Sequence, residues 1–517
     1  MTPGKTASVV LTQQALTLDE VVDVARHGAP VQIEHGARVG IRAARHAVET
    51  LGAGDTPIYG VSTGFGALAS TRISADQRED LQKALVRSHA AGSGPEVERE
   101  VVRALMLLRL HTFVTGHTGV TETTVDAYAA LLNAGITPVV REYGSLGCSG
   151  DLAPLATCAL AATGEGEVRD ATGALMPAAQ ALAAAGITPV TLVAKEGLAL
   201  INGTDGMLGM LCLALIDLAR LAKIADISAA MSVEALLGTD RVFAADIQAL
   251  RPHPGQADSA ANLRALLAGS QIMQSHRGED CSVVQDAYSL RCAPQVAGAF
   301  RDTASYARQV AERELASAID NPAVLSDQRI ESNGNFHGAP VGYVLDFLAI
   351  AVADLASISE RRTDRMLDPA RSHGLPAFLA GNPGVDSGLM IAQYTQAALV
   401  SELKRLAAPA SVDSIPSSAM QEDHVSMGWS AARKLRKGID ALQRVLAIEV
   451  LTSTRALELR QPLLPSPAST AVLSALRETV AGIGPDRWLT PEIEAAVAAV
   501  ESGQILDAAQ GAVGPLH

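Results

Sequence analysis

Residues 144–151 read Gly144-Ser145-Leu146-Gly147-Cys148-Ser149-Gly150-Asp151, and the rest of the chain is best read outward from this loop. A serine stands between a small residue and a glycine inside a glycine-rich turn. Gly150 leaves its backbone nitrogen unhindered and lets the chain bend tightly. In such a bend that nitrogen can attack the carbonyl carbon of Cys148 and close a five-membered ring. Loss of water from the ring and from Ser149 leaves an exocyclic methylidene, an electrophile built from protein alone. Plainer readings fit the same residues. The loop is equally a tight turn before a helix starting near Asp151, with Asp151 as its N-cap. A nucleophilic Ser149 is a second alternative, but the hydrolase elbow needs G-x-S-x-G and this run lacks the spacer. A reactive thiol at Cys148 is a third, and it needs a positive neighbour or a helix N-terminus.

The surrounding chain is long enough, at 517 residues, for a large buried core. Hydrophobic residues make up 48%, charged residues 19% and aromatics only 3%. The apolar mass is therefore Ala, Leu and Val, which favours helix packed on helix. A net charge of −14, from 41 basic and 55 acidic residues, argues against nucleic acid or an anionic membrane as partner. The five cysteines, Cys148, Cys158, Cys212, Cys281 and Cys292, contain no C-x-x-C pair and point to a reducing compartment. Met1 to Leu11 lacks a secretory pattern, and the most apolar run, Met207 to Ile216, is too short to span a bilayer. A cytoplasmic location is expected. His111 and His117 have no carboxylate at ligand spacing, so no metal site is expected. The glycines of Gly60 to Gly66 do not form G-x-G-x-x-G, which leaves a dinucleotide fold unsupported.

Three segments are expected. Residues 1–200 mix short helices with glycine-rich turns. Residues 201–460 carry longer helical patterns: Leu435, Ile439, Leu442 and Leu446 recur on one face, as do Tyr306, Val310, Leu315 and Ile319 before a stop at Asp320-Asn321-Pro322. Pro462, Pro465 and Pro467 mark a break before a small helical segment, 461–517. The fold class is mainly α, a long-helix bundle preceded by a mixed N-terminal region that carries the loop.

Other stretches change the weight of the readings. They are Tyr59-Gly60-Val61-Ser62-Thr63-Gly64-Phe65-Gly66, Ser88-His89-Ala90-Ala91-Gly92, and Glu196 to Thr204 with Asn202 and Gly203. Further on come Gln285-Asp286-Ala287-Tyr288-Ser289-Leu290-Arg291-Cys292, Asn335-Phe336-His337-Gly338, and Gln421-Glu422-Asp423-His424-Val425-Ser426-Met427. With the loop, this ordered set resembles the ammonia-lyases of aromatic amino acids, and among them the histidine-specific enzymes. Their prosthetic group is 4-methylideneimidazol-5-one (MIO). The resemblance runs through most of the chain, and seven ordered motifs are far more specific than one short pattern. There are departures. Cys148 stands where the commoner triad has Ala, Thr157 where relatives often carry His, and Ala84 where they often carry a polar residue.

The resemblance implies a cofactor formed from Cys148, Ser149 and Gly150, with Tyr59 as the base that removes the substrate β-proton. Read alone, Tyr59 is a packing aromatic, as most tyrosines are. Arg291 is implied as the clamp on the substrate carboxylate, for which a guanidinium fork is suited; most arginines form ordinary ion pairs. Asn202, Tyr288 and Gln285 are implied as polar contacts, with Gln285 and Tyr288 on one face if that segment is helical. His89 and Glu422 are implied as the pair that addresses an imidazole ring, where each alone would be a structural histidine or a solvated charge. Phe336 shapes the pocket or packs in the core.

The expected reaction is non-oxidative elimination of ammonia from L-histidine, giving trans-urocanate. A tyrosine or phenylalanine ammonia-lyase, or an aminomutase with the same cofactor, is the nearest alternative. A Ser or Cys hydrolase and a non-catalytic helical scaffold belong to other classes. The resemblance also implies a homotetramer with active sites shared between subunits, so that Tyr59 and Ser149 would meet across an interface.

Overall fold

The computed structural model describes residues 7–54, 57–64, 70–277 and 284–517. Phe65 and Gly66 of the first motif, and Cys281, lie outside the described residues. The chain is mainly helical, and four helices are long: Asp205–Ala235, Ala293–Leu315, Ala339–Leu367 and Gly428–Glu458. Strands are short and concentrated toward the N-terminus. Val9–Leu11 pairs in parallel with Val31–Ile33, and Ser93–Glu96 pairs antiparallel with Arg141–Tyr143. The strands Thr137–Pro138, Glu167–Arg169 and Leu175–Pro177 form a small antiparallel sheet.

Two compact units emerge. One comprises Met1–Ile216, Arg308–Asp346 and Pro409–Arg433; the other comprises Asp217–Ala307, Phe347–Ala408 and Lys434–His517. Four of the five boundaries fall inside the long helices, and the fifth, between Ala408 and Pro409, follows the helix Met390–Leu406.

The periodic residues Leu435, Ile439, Leu442 and Leu446 are all buried along Gly428–Glu458. In the other expected helix, Val310, Leu315 and Ile319 are buried, but the helix stops at Leu315. Tertiary bonds compete for the segment that follows. The carbonyl of Ile319 accepts from Arg109 Nη2 at 2.7 Å, and Asp320 pairs with Lys195 Nζ at 2.5 Å, both side chains of that pair being fully buried. The four described cysteines carry free thiols. By length and composition alone the helix Ala339–Leu367 is apolar enough to cross a membrane, with a mean hydropathy of 1.9 over its most apolar window, and 61% of that window is buried in the protein. Its Asp346, also buried, accepts from the backbone of Ser411 at 2.7 Å.

The second unit is organised around one carboxylate. Glu449 is buried and accepts from Ser228 and Ser232 at 2.8 and 2.7 Å, from Ser359 at 2.6 Å, and from Arg362 through two nitrogens at 2.5 and 2.8 Å. These donors sit on the helices Asp205–Ala235 and Ala339–Leu367, so a single acidic group fixes the register of three helices. Buried charge is tolerated here because every lone pair has a donor. Glu449→Ala is expected to cost about 3–5 kcal/mol, because it strands the Arg362 guanidinium. The paired change of Glu449 and Arg362 to Met should recover most of that loss. Urea midpoints of the two variants test this, and a wild-type midpoint for Glu449→Ala would remove the carboxylate from its central role.

Candidate active site

Close backbone packing shapes the glycine loop. Gly147 and Gly150 take φ of +66° and +87°, a region that favours glycine. Gly150 forms a bridge with Gly203, and a Cβ on Gly150 would collide with the Gly203 backbone. The Asp151 N–H donates to the Gly203 carbonyl at 2.7 Å. Further tethers hold the loop from other segments. Ser426 Oγ donates to the Gly147 carbonyl at 2.9 Å, and the Met427 N–H donates to the Leu146 carbonyl at 2.9 Å.

Asp151 flanks the helix Leu152–Ala162, but its side chain does not cap that helix. One carboxylate oxygen instead accepts from the N–H groups of Gly206 and Met207, both at 2.9 Å, in the first turn of Asp205–Ala235. The other accepts from Ser145 Oγ at 2.9 Å. Burial pushes the Asp151 carboxyl up to about 7, against the pull of these hydrogen bonds.

A cavity of about 420 Å³ in the first unit brings Tyr59, His89, Ser149, Asn202 and Glu422 together. Its remaining wall is largely apolar, including Ile73, Leu81, Leu152 and Leu198, and Ala84 leaves room where a larger side chain would project. Ser149 Oγ donates to Glu422 at 3.1 Å, and Ser417 Oγ holds the other Glu422 oxygen at 2.9 Å. His89 ends the helix Arg78–His89. Its Nδ1 lies 2.9 Å from the Leu85 carbonyl and 3.0 Å from Ser88 Oγ. A carbonyl only accepts, so Nδ1 carries the hydrogen, and in the neutral ring Nε2 is the acceptor. Asn202 is buried. Its Nδ2 donates to the Asn321 carbonyl at 2.9 Å, while its Oδ1 has no hydrogen-bond partner among the described residues.

Within one chain, only some of the expected site residues line this cavity. Tyr59 and Ser149 line the same cavity of one chain, so their meeting requires no interface. Gln285, Tyr288 and Arg291 belong to the second unit and do not line this cavity. There the Arg291 guanidinium lies 4.4 Å from the Tyr288 ring centre, and Nε donates to the Asp286 carbonyl at 3.0 Å. The helix is only Tyr288–Arg291, which leaves Gln285 before its start, so the shared-face argument for Gln285 and Tyr288 does not apply. Phe336 is half-buried in the first unit and also does not line the cavity. Arg109, Lys195 and Asp320 were not expected near the site: Arg109 binds the Asn202 and Ile319 carbonyls, and Lys195 pairs with Asp320. The available signal was an arginine embedded in the apolar run Leu107 to Leu110, a pattern that implies a buried partner.

Cys148 is buried, and burial, reinforced by the negative charge of Glu422, pushes its thiol up to about 12. The thiol therefore stays protonated at neutral pH, which disfavours a cysteine nucleophile. Alkylation of Cys148 by iodoacetamide, mapped by peptide mass, should climb with pH without levelling below about pH 11. Glu422→Gln should move that profile to lower pH. A plateau below pH 9 in the unmodified protein would contradict the assignment.

Residues 16–478 match the model of the aromatic amino acid lyase family. The chain is 64% identical to histidine ammonia-lyase of Streptomyces avermitilis over 510 residues, covering 98% of this chain and 99% of the relative. It is 63% identical to the enzyme of the same name from Streptomyces coelicolor, covering 99% and 100%. Among solved structures it is similar to tyrosine aminomutase from Streptomyces globisporus, with a TM-score of 0.93, 37% identity and coverage of 99% and 100%. It is likewise similar to histidine ammonia-lyase from Trypanosoma cruzi, with a TM-score of 0.90, 38% identity and coverage of 98% and 96%. With this likeness along nearly its whole length, the chain belongs to the aromatic amino acid lyase family.

Proposed function

We propose that this chain is a histidine ammonia-lyase, converting L-histidine to trans-urocanate and ammonia with an MIO group made from Cys148, Ser149 and Gly150. The observation that carries the reading is the meeting of Tyr59, His89, Asn202 and Glu422 around Ser149 in one largely apolar cavity. Relatives up to 64% identical bear the histidine-specific name, while the aminomutase likeness stands at 37%, so histidine is favoured over tyrosine. The loop fits the group. Gly150 packs its backbone against Gly203, where no side chain has room, and the unpartnered Asn202 Oδ1 lies in the same wall.

When formed, the MIO ring supplies an electrophilic methylidene carbon. The remaining work falls to side chains. Glu422, an acceptor, takes the N–H of the substrate imidazole. Conversion of Ser149 removes the hydroxyl that Glu422 now binds, which releases that oxygen, while Ser417 keeps the other in place. His89 presents an acceptor nitrogen because its own helix holds Nδ1. Tyr59 removes the β-proton. The apolar wall limits water around the developing charge, which strengthens these interactions.

Arg291 binds the substrate carboxylate as a fork, with Tyr288 and Gln285 as polar neighbours and Phe336 closing the pocket. Since none of these four lines the cavity of its own chain, neighbouring subunits of a homotetramer supply them. The enzyme works as a cytoplasmic protein with a small-molecule substrate and no nucleic-acid or membrane partner.

Incubation of purified protein with L-histidine should produce the ultraviolet absorbance of urocanate. Product analysis with tyrosine and phenylalanine separates the related lyases, and a β-amino acid product would indicate a mutase. Folded protein that gives no urocanate would overturn the assignment. Shared sites have their own test. Tyr59→Phe and Arg291→Ala chains, each inactive alone, should recover activity when co-assembled. Tyr59→Phe and Ser149→Ala chains should not, since their lesions lie in the same cavity.

A further inference from the structure

Behind the Asn202–Gly203 backbone lies a buried guanidinium that touches neither the cavity nor the glycine loop. Arg109 projects from the helix Arg99–Val114 with a fully buried side chain. Nη1 donates to the Asn202 carbonyl at 2.6 Å and Nη2 to the Ile319 carbonyl at 2.7 Å. Nε faces Asp205 Oδ2 at 3.6 Å, beyond hydrogen-bond reach, and neither atom has a hydrogen-bond partner among the described residues. A Cβ on Gly203 would run into the Asp205 carboxylate and Arg109 Nη1. On its other side Gly203 already meets Gly150, whose own Cβ would strike the Gly203 carbonyl. Three layers are thus in contact, Arg109 with Asp205, then Gly203, then Gly150, and neither glycine has room for a side chain.

We propose that Arg109 is a positioning residue for cofactor formation: it backs the Asn202–Gly203 segment so that the segment cannot retreat, and thereby holds Gly150 bent toward Cys148. Ring closure needs the Gly150 nitrogen to approach the Cys148 carbonyl carbon, a contact that an unconstrained loop relieves by moving away. The glycine loop has tethers of its own at Gly147 and Asp151, and a long bond of 3.4 Å from Ser145 Oγ to the Gly150 carbonyl, but the atoms nearest a Gly150 Cβ all belong to the Gly203 backbone. Arg109 supplies two charge-assisted bonds to carbonyls on separate segments, and these resist outward movement. Misplacement of about 1 Å can cost on the order of a hundredfold in rate for a reaction that depends on close approach.

This inference rests on the MIO reading, and intact mass distinguishes the two. Ring closure and dehydration remove two molecules of water, so wild-type protein should weigh two waters less than its sequence. A wild-type mass without that deficit would overturn the MIO reading, and this inference with it. Given the deficit, Arg109→Met and Arg109→Lys are purified, the folded fraction is isolated by size exclusion, and the same mass is read. Arg109→Met should be mainly unmodified, and Arg109→Lys intermediate, since lysine keeps the charge but not both carbonyl bonds. In newly synthesised chains from a cell-free translation, sampled over time, the dehydrated mass should appear on the order of a hundredfold more slowly in Arg109→Met than in wild type. Gly203→Ala approaches the same contact from the other side and should also leave folded chains unmodified. It decides the matter if Arg109→Met does not fold. A complete two-water deficit in folded Arg109→Met, or in folded Gly203→Ala, would overturn the proposal. A purely structural role for Arg109 would lower the yield of folded protein while leaving every folded chain dehydrated.

Discussion

The contact between Gly150 and Gly203 is the constraint on which the site depends. The two backbones lie so close that a Cβ on Gly150 would strike Gly203, while a Cβ on Gly203 would strike the Asp205 and Arg109 side chains on its far side. One hydrogen bond, from the Asp151 N–H to the Gly203 carbonyl, registers them. Asp151 then extends the same junction, because its carboxylate binds the first turn of Asp205–Ala235. The loop, the Asn202 wall of the cavity and the start of a long helix are therefore placed by one arrangement of backbone and carboxylate. The Cys148–Gly150 turn and the polar groups around it share a frame.

Buried charge recurs in both units, and two clusters show how partners compensate it. Lys195 and Asp320 pair in the first unit, and Lys195 Nζ also reaches the Thr118 carbonyl at 2.7 Å. Burial pulls the Lys195 pKa down, while Asp320 favours its charged form. In the second unit Glu449 gathers five donor contacts. A buried ion pair is weak evidence for net stability, since desolvation offsets much of the attraction. What these groups supply is direction. Alanine- and leucine-rich helices can slide or rotate against one another at small cost, whereas a buried carboxylate with several fixed donors accepts one register.

Much of this was legible in the chain itself. The helix through Leu435, Ile439, Leu442 and Leu446 follows from spacing, because core-facing residues must repeat with the helical period. The gathering of Tyr59, His89, Ser149, Asn202 and Glu422 follows from no spacing at all; it came from resemblance. Other features resisted reading. The helix expected to include Ile319 and stop at Asp320 ends instead at Leu315, since the Ile319 carbonyl and the Asp320 side chain are taken by Arg109 and Lys195 from distant segments. Asp151 looks like the cap of the helix it precedes, yet it binds a different one, since local pattern cannot reveal a donor more than fifty residues away.

By itself the sequence determined the helical class, the glycine loop with its chemical possibility, and the membership of its motifs in one family. Each depends on local covalent chemistry or on residue order, which the chain carries without folding. Tertiary structure alone decided that Tyr59 and Ser149 share a cavity within one chain and that Gln285, Tyr288 and Arg291 belong to another unit. It also decided that Glu422 holds the Ser149 hydroxyl and that Arg109 stands behind Gly203. The physical reason is common to all of these: they are contacts between segments far apart in the chain, set by close packing and by the need of each buried polar group for a partner.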